Sequence, residues 1–510
     1  MNGSSTAPHR VVLDRPGFHA LVAAASLLLS LWAVYLDPVL NSDGISEVRA
    51  AGHFRDAQWR AAIDMAGHPL YAMLGGVVSR VTGMSPAFGL HTVNAGLFAL
   101  LAVGFTALAS VLGGGARARV LAAVLVLLFP ALNGFRPEVA GEPGYWAFYV
   151  WSLAYFLHYA AARNGRWPAG ALLAGIAALF FALEAILFLV SVPLWRWVRD
   201  RPGASGRLLK GGAIVAGCGL LLVYALWSRQ WHAQGPVGEL LLHPLEHLAV
   251  AWQELGRGVR FKIESLRHEF LDEYSRSFER TALLATIVVM VVAGIIKALG
   301  VVYSALALYA LSVSRRVLTP EQRCWWAVFA VVSSMLLLVP AFVEFAVDER
   351  DAMVAALTLL AIVPPALERL ATDRTAGFRR PRWLLASALV LVLVSGIKGL
   401  DLRSQHLHLR EAGLWLRAAA APESSLFSNS QVVVHYSGLS GYRPGADYSW
   451  QEAMRDVWRG GWRDYRYLAM VIEAGEAHRE GILMRRIDIE PVMTFTGDNG
   501  GKVLVFDTKR

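Results

Sequence analysis

The chain has 510 residues, of which 55% are hydrophobic and 17% charged, with a mean hydropathy of +0.44 and a formal net charge of +9. A soluble protein of this length needs far more polar surface, so the composition points to a membrane protein. The basic balance then reads as the loop bias of a threaded membrane protein rather than as a nucleic-acid footprint. The two cysteines, Cys218 in an apolar run and Cys324 beside a basic loop, imply no disulfide.

The first apolar run, residues 18–36, follows Arg10 and Arg15. No small-x-small cleavage pattern precedes the polar stretch behind it, so it reads as a retained span. Spans need about 20 apolar residues. Further candidates lie near 87–112, 119–134, 143–162, 169–183, 184–199, 208–229, 281–313, 324–343, 352–370 and 383–400. That makes about eleven transmembrane helices in a polytopic α-helical fold.

The connecting charges alternate along the chain. Arg117 and Arg119, Arg163 and Arg166, the run from Arg196 to Lys210, then Arg315, Arg316 and Arg323, and finally Arg374 to Arg382 occupy one set of loops. Asp43, Glu47, Asp56 and Asp64, then Glu138 and Glu142, then Asp348, Glu349 and Asp351 occupy the other. Basic loops stay inside, so the N-terminus is expected in the cytoplasm and Asp43 outside, in a bacterial inner membrane.

Two outer segments are not spans. Residues 37–86 contain a charged helical stretch, SEVRAAGHFRDAQWRAAID, and a short apolar one, HPLYAMLGGVVSRVTG, with Arg80 inside it. Residues 230–280 repeat apolar positions every three or four residues from Leu255 to Phe278, an amphipathic pattern suited to the membrane interface. Polarity then rises. Residues 401–510 read as a small outer α/β domain following a transmembrane domain of residues 1–400. Its expected elements are a helix over LHLREAGLWLRAAA, strands at SSLFSN and QVVVHYS, a helical stretch near 449–473, and a terminal hairpin, VMTFT-GDNGG-KVLVFD.

Asp43 admits three readings: a helix N-cap, a solvated loop charge, or a general base held at the lipid boundary. The second outer turn, NGFRPEVAGEPGYW, gathers Arg136, Glu138, Glu142 and Tyr145, and the third adds Arg350 among acids. Ionisable groups cost about 2.5–3.5 kcal/mol each at mid-bilayer, so those at span ends tend to serve a site. Arg136 and Arg350 are the guanidinium groups available outside for pairing bidentately with a phosphate.

The order of these features resembles a family. An outer Asp follows the first span closely, and His68-Pro-Leu-Tyr71 leads to Arg80-Val-Thr-Gly and the second span. The Arg136-Pro-Glu138…Tyr145 turn, the Glu349-Arg350 turn and the WLRAAAAPESSLFSN tail follow. Together they look like the GT-C membrane glycosyltransferases, in particular the branch of protein O-mannosyltransferases and the lipid A aminoarabinose transferase.

The resemblance implies a GT-C-like fold and the transfer of a sugar from a polyprenyl-phosphate donor to a hydroxyl of a glycolipid, polysaccharide or protein. It also implies inversion at the anomeric carbon, with Asp43 as general base. Glu47, His68, Tyr71, Arg136, Glu138, Glu142, Tyr145 and Arg350 become the expected substrate-binding residues. Some enzymes of this fold use a divalent ion; His243 and His247, four apart with Pro244 between, are a weak signal, and no metal or other cofactor is predicted. The rival reading is a transporter or flippase of a lipid-linked saccharide. It predicts polar groups at mid-span, where Glu184 and Lys297 stand out, and related halves, which the sequence does not show.

Overall fold

A computed structural model describes residues 16–161, 169–182, 185–186, 188–189, 278–343, 345–372, 380–400, 406–441 and 450–509. Most of the expected interfacial segment at 230–280, the span at 208–229, most of that at 184–199, and the pair His243 and His247 lie outside the described residues.

Helix α1 (Pro16–Leu36) ends where Pro38 restricts Asp37 to extended backbone. The first loop folds into three short helices, α2 (Ser42–Arg55), α3 (Trp59–Met65) and α4 (Pro69–Thr82). The charged stretch expected as one helix is thus two, broken at Ala57, whose φ is +60°. Next come α5 (Pro86–Val111), capped by Ser85 accepting from the Phe88 amide, α6 (Ala116–Leu127), α7 (Pro130–Gly134), α8 (Glu142–Ala161) and α9 (Ala169–Leu179). The single span expected over 119–134 divides at Pro130, which cannot donate the next helical hydrogen bond.

The second half of the bundle holds α10 (Glu279–Val317), α11 (Pro320–Leu336), α12 (Leu338–Val343), α13 (Glu349–Leu360), α14 (Val363–Thr372) and α15 (Arg380–Leu400). Helix α10 breaks at Gly300, where φ is 65° and ψ 171°, a conformation open in practice to glycine alone. Among the described residues five helical stretches are long and apolar enough to cross a membrane: Pro16–Leu36, Pro86–Val111, Thr281–Val317, Pro320–Phe342 and Glu349–Thr372.

The C-terminal stretch carries α16 (Leu407–Ala419), β1 (Ser425–Ser428), α17 (Gln431–Ser437), β2 (Ser440–Gly441), α18 (Trp450–Trp458), β3 (Tyr467–Ile472), α19 (His478–Ile487), β4 (Met493–Thr496) and β5 (Lys502–Asp507). The strands form one sheet in the order β2-β1-β3-β5-β4, parallel among the first three and antiparallel at β3-β5 and β5-β4. Alternation along β5 sends Leu504 and Phe506 into a core with α18 and α19. Val503 and Val505 face the other way, into the apolar core that continues through α16 and α17 to the helical bundle.

One expected strand is corrected: QVVVHYS is helix α17. The Ser430 hydroxyl accepts from the Val433 amide at its start, and Gly438 ends it in left-handed backbone. The polar stretch after 449 is α-helical only to Trp458; a short 3-10 helix, Gly461–Asp464, follows, and the end of the stretch forms β3.

Candidate active site

The site lies at one end of the bundle, where three segments meet: the 37–41 linker with α2, the turn between α7 and α8, and the start of α13. Asn41 ties the first two together, its Oδ1 accepting from the Val139 amide at 3.0 Å. The fit is close, since a Cβ on Gly44 would stand 2.4 Å from that oxygen and 2.8 Å from the Val139 side chain. Glycine directly after Asp43 is therefore a packing requirement. On the far side of the turn, Asn94 of α5 donates to the Glu138 carbonyl at 2.6 Å.

Arg350, from the first turn of α13, joins the three segments. Its guanidinium donates to Asp43 Oδ2 at 2.9 Å and to Glu138 Oε2 at 2.7 Å, with Glu142 Oε1 at 3.6 Å. The guanidinium also lies over the Phe135 ring. One cation thus faces three carboxylates separated from it by more than 200 residues of chain. Burial pushes the Glu138 carboxyl up to about 7, outweighing the attraction of Arg350, and the neighbouring Glu142 and Asp43 add to the rise. The Asp43 side chain keeps 53% of its surface exposed, so one carboxylate oxygen is held by Arg350 while the group remains open to a reactant. Among the described residues no cluster of three or more His, Cys, Asp or Glu side chains is arranged to hold a metal ion.

Beside this cluster is a cavity of about 480 Å³, within the range of small-molecule sites. Its apolar wall includes Pro130, Phe135 and Leu299, and its polar wall Asp37, Asn41, Glu138, Lys297, Glu349 and His406. The break at Gly300 places residues 297–300 along this wall. Lys297, 61% exposed, lies 3.6 Å from Glu349. Glu138 belongs to both cavity and cluster, whereas Asp43 and Arg350 are not among the residues that line the cavity. Burial pushes the Asp37 carboxyl up, opposed by His406 and by a hydrogen bond from the Val39 amide.

Of the residues predicted from sequence, the structure brings together Asp43, Glu138, Glu142 and Arg350. Glu47 and His68 form a second pair nearby: Glu47 Oε1 accepts from the His68 amide at 2.8 Å and lies 3.3 Å from its Nδ1. The His68 ring packs so closely on Gly141 that a Cβ there would fall 2.4 Å from it. Tyr71 is fully buried, its hydroxyl directed at the Leu90 carbonyl, and Tyr145 is largely buried beside Tyr149. Arg136, only 2% exposed, donates to Asn133 Oδ1, to the Ser26 carbonyl and hydroxyl and to Ser30 Oγ, with Phe98 beneath it. In this arrangement Arg136 and Tyr71 bind helices together and do not line the cavity beside the cluster.

Lys297, Glu349, Asp37, Asn41 and His406 are cavity residues that the sequence did not assign. A single lysine inside an apolar helix was the available signal for Lys297; the rest looked like ordinary loop polar groups.

Fold and site define a multi-pass helical membrane protein with an acidic centre at one end of its bundle. No family model and no curated protein sequence matches the chain. Its structure is similar to three solved GT-C glycosyltransferases, the class that the sequence resembles. The oligosaccharyltransferase AglB of Archaeoglobus fulgidus, in complex with an inhibitory peptide and a dolichol-phosphate, is 12% identical over 96% of this chain and 74% of that one, with a TM-score of 0.48. The arabinofuranosyltransferase AftD from Mycobacteria is 15% identical over 97% and 40%, with a TM-score of 0.46. ArnT from Cupriavidus metallidurans, in a complex with undecaprenyl phosphate, is 13% identical over 96% and 98%, with a TM-score of 0.45.

Proposed function

We propose that the protein is a glycosyltransferase that moves a sugar from a polyprenyl-phosphate donor to a hydroxyl of a glycolipid, polysaccharide or protein at the outer face of a bacterial inner membrane. The observation that carries this reading is Asp43: half-exposed, held by Arg350, and set beside a cavity with an apolar wall and a lysine. A phosphate already leaves readily, so transfer needs a base for the acceptor and a cation for the departing charge.

In this reaction Asp43 takes the proton of the acceptor hydroxyl as its oxygen attacks the anomeric carbon. The bond from that carbon to the donor phosphate breaks, and the electron pair leaves with the polyprenyl phosphate. A single displacement inverts the carbon. Lys297 is the cation facing the cavity, while Arg350, already engaged by three carboxylates, orients Asp43. No observation favours the transporter reading.

The test uses purified protein with a panel of undecaprenyl-phosphate sugars and measures release of undecaprenyl phosphate by mass spectrometry. Asp43→Asn is expected to fold and to lose at least about a hundredfold in turnover, the usual scale of a general base. Turnover retained near the wild-type rate would remove Asp43 from the mechanism.

A further inference from the structure

The 37–41 linker carries two polar atoms for which the transferase chemistry has no use so far. Asp37, 8% exposed, has its Oδ1 buried without a hydrogen-bond partner, and so does Asn41 Nδ2. Both residues line the cavity. Buried polar groups are nearly always paired, so two orphans in one five-residue segment at the wall of one cavity call for an explanation.

The orientation of Asn41 is fixed by its surroundings. An amide N–H can only donate, so the atom facing the Val139 nitrogen at 3.0 Å must be the Asn41 oxygen. The NH2 group is therefore the unpaired end. Asn41 also occupies the N-cap position of α2, where an asparagine normally accepts from the helix's own amides, yet it makes no such bond. Its side chain is diverted from local capping to the junction with the 139 turn. On Asp37, Oδ1 is left as a spare acceptor.

Resting on the transferase reading above, we propose that Asp37 and Asn41 are specificity-determining residues that read hydroxyl groups of the transferred sugar. One supplies an acceptor and the other a donor, which together complement groups that both donate and accept. The sugar belongs here rather than the acceptor because of how the site divides. Lys297, the cation for the donor phosphate, lines the same cavity, whereas Asp43, the base for the acceptor, does not. The donor therefore occupies the cavity and the acceptor approaches from the Asp43 side.

Two near-isosteric changes separate reading from folding. Asn41→Asp keeps an oxygen for the Val139 amide and replaces only the unpaired donor. Asp37→Asn keeps the size and shape of the side chain and replaces the charged acceptor by an amide. The probes are undecaprenyl phosphate and a panel of undecaprenyl-phosphate hexoses and pentoses, with equilibrium binding to wild type and variants measured in detergent and thermal midpoints recorded in parallel.

Wild type is expected to bind at least one sugar-bearing lipid about tenfold more tightly than the bare phosphate lipid, the discrimination typical of a few pocket contacts. Each variant is expected to abolish most of that preference while binding the bare lipid as wild type does. Wild type that shows no preference, or variants that retain it, overturns the proposal. A variant that loses affinity for the bare lipid equally overturns it as well, because the residue then shapes the cavity rather than reading the sugar. Binding and turnover also separate the two readings. Sugar preference lost in the variants, with no release of undecaprenyl phosphate by wild type, sinks the transferase and leaves the subsite; release with preference unchanged does the reverse.

Discussion

Asp43 and Glu138 share one guanidinium, and that sharing sets a pH dependence. Glu138, raised to about 7, takes up a proton as the pH falls through neutrality and no longer draws on Arg350. Arg350 then pairs more fully with Asp43 and Glu142, and an aspartate held more tightly by a cation is a weaker base. The expected outcome is that kcat/KM falls as pH drops through about 7, as a property of the coupled cluster. Glu138→Gln, uncharged throughout, should stay near the low-pH rate and run flat between about pH 6 and 8. An acid limb that survives this substitution would assign the titration to another group. Arg136 invites a second test, because its donors are spent on Asn133, Ser26 and Ser30. Arg136→Ala should cost about 2–4 kcal/mol of stability by leaving those acceptors unsatisfied in the interior. Affinity for undecaprenyl phosphate in the folded fraction should be unchanged; a selective fall in that affinity would make Arg136 a phosphate ligand after all. Residue types explain what was legible here. Asp43 and Arg350 stood out as charges at span ends in an apolar chain. Nothing in the sequence separates an arginine that faces a cavity from one that ties helices together, because that depends on which serines of α1 lie opposite.

Elements were read well where one local rule governs them, and badly where two compete. The hairpin β4–β5 was plain because two β-rich runs flank an Asn/Gly turn. QVVVHYS has three successive β-branched valines and looked like a strand, yet a serine cap before it and a left-handed glycine after it enclose seven helical residues that pack on α16. The valines are buried by that packing, which outweighs their weak intrinsic preference. The α10 break was hidden for a different reason, since glycine is common in apolar spans and seldom marks a kink. Gly300 permits a prediction at this scale. A Cβ there meets no atom within 4 Å, so the obstacle to alanine is backbone conformation alone. Gly300→Ala should cost about 1–3 kcal/mol if the kink persists, or straighten α10 if it does not. Either response disturbs residues 297–300 of the cavity wall. Affinity for undecaprenyl-phosphate sugars should therefore fall together with the thermal midpoint; a lower midpoint with full affinity would show that the kink does not shape the site.

The two ends of the molecule differ in charge, and the folded arrangement now ties each end together in space. At one end the Asn41–Val139 and Arg350–Asp43–Glu138 bonds unite loops rich in acids. At the other, the Gly115 amide donates to Glu368, Gln322 donates to the Val111 carbonyl, and Arg369 reaches the Arg316 carbonyl, among loops rich in arginine. The C-terminal sheet belongs to the acidic end, because the Leu40 amide donates to the Tyr436 hydroxyl at 3.1 Å and His406 lines the cavity. Basic loops are retained in the cytoplasm, so the acidic end, Asp43 and the sheet should all face outward. Single cysteines at Ala57, Asp498 and Ala116, in a background lacking Cys218 and Cys324, turn this into a measurement. An impermeant maleimide applied to intact cells, with the outer membrane permeabilised, should label the first two and spare the third until the inner membrane is opened. The pattern has two independent parts. Agreement between Ala57 and Asp498, opposite to Ala116, follows from the contacts alone, and its failure would break the packing of the sheet onto the α1–α2 linker. The absolute direction follows from the charge rule. Labelling of Ala116 in place of the other two would keep the architecture but turn the site toward the cytoplasm, where Asp43 would need a donor on the inner leaflet.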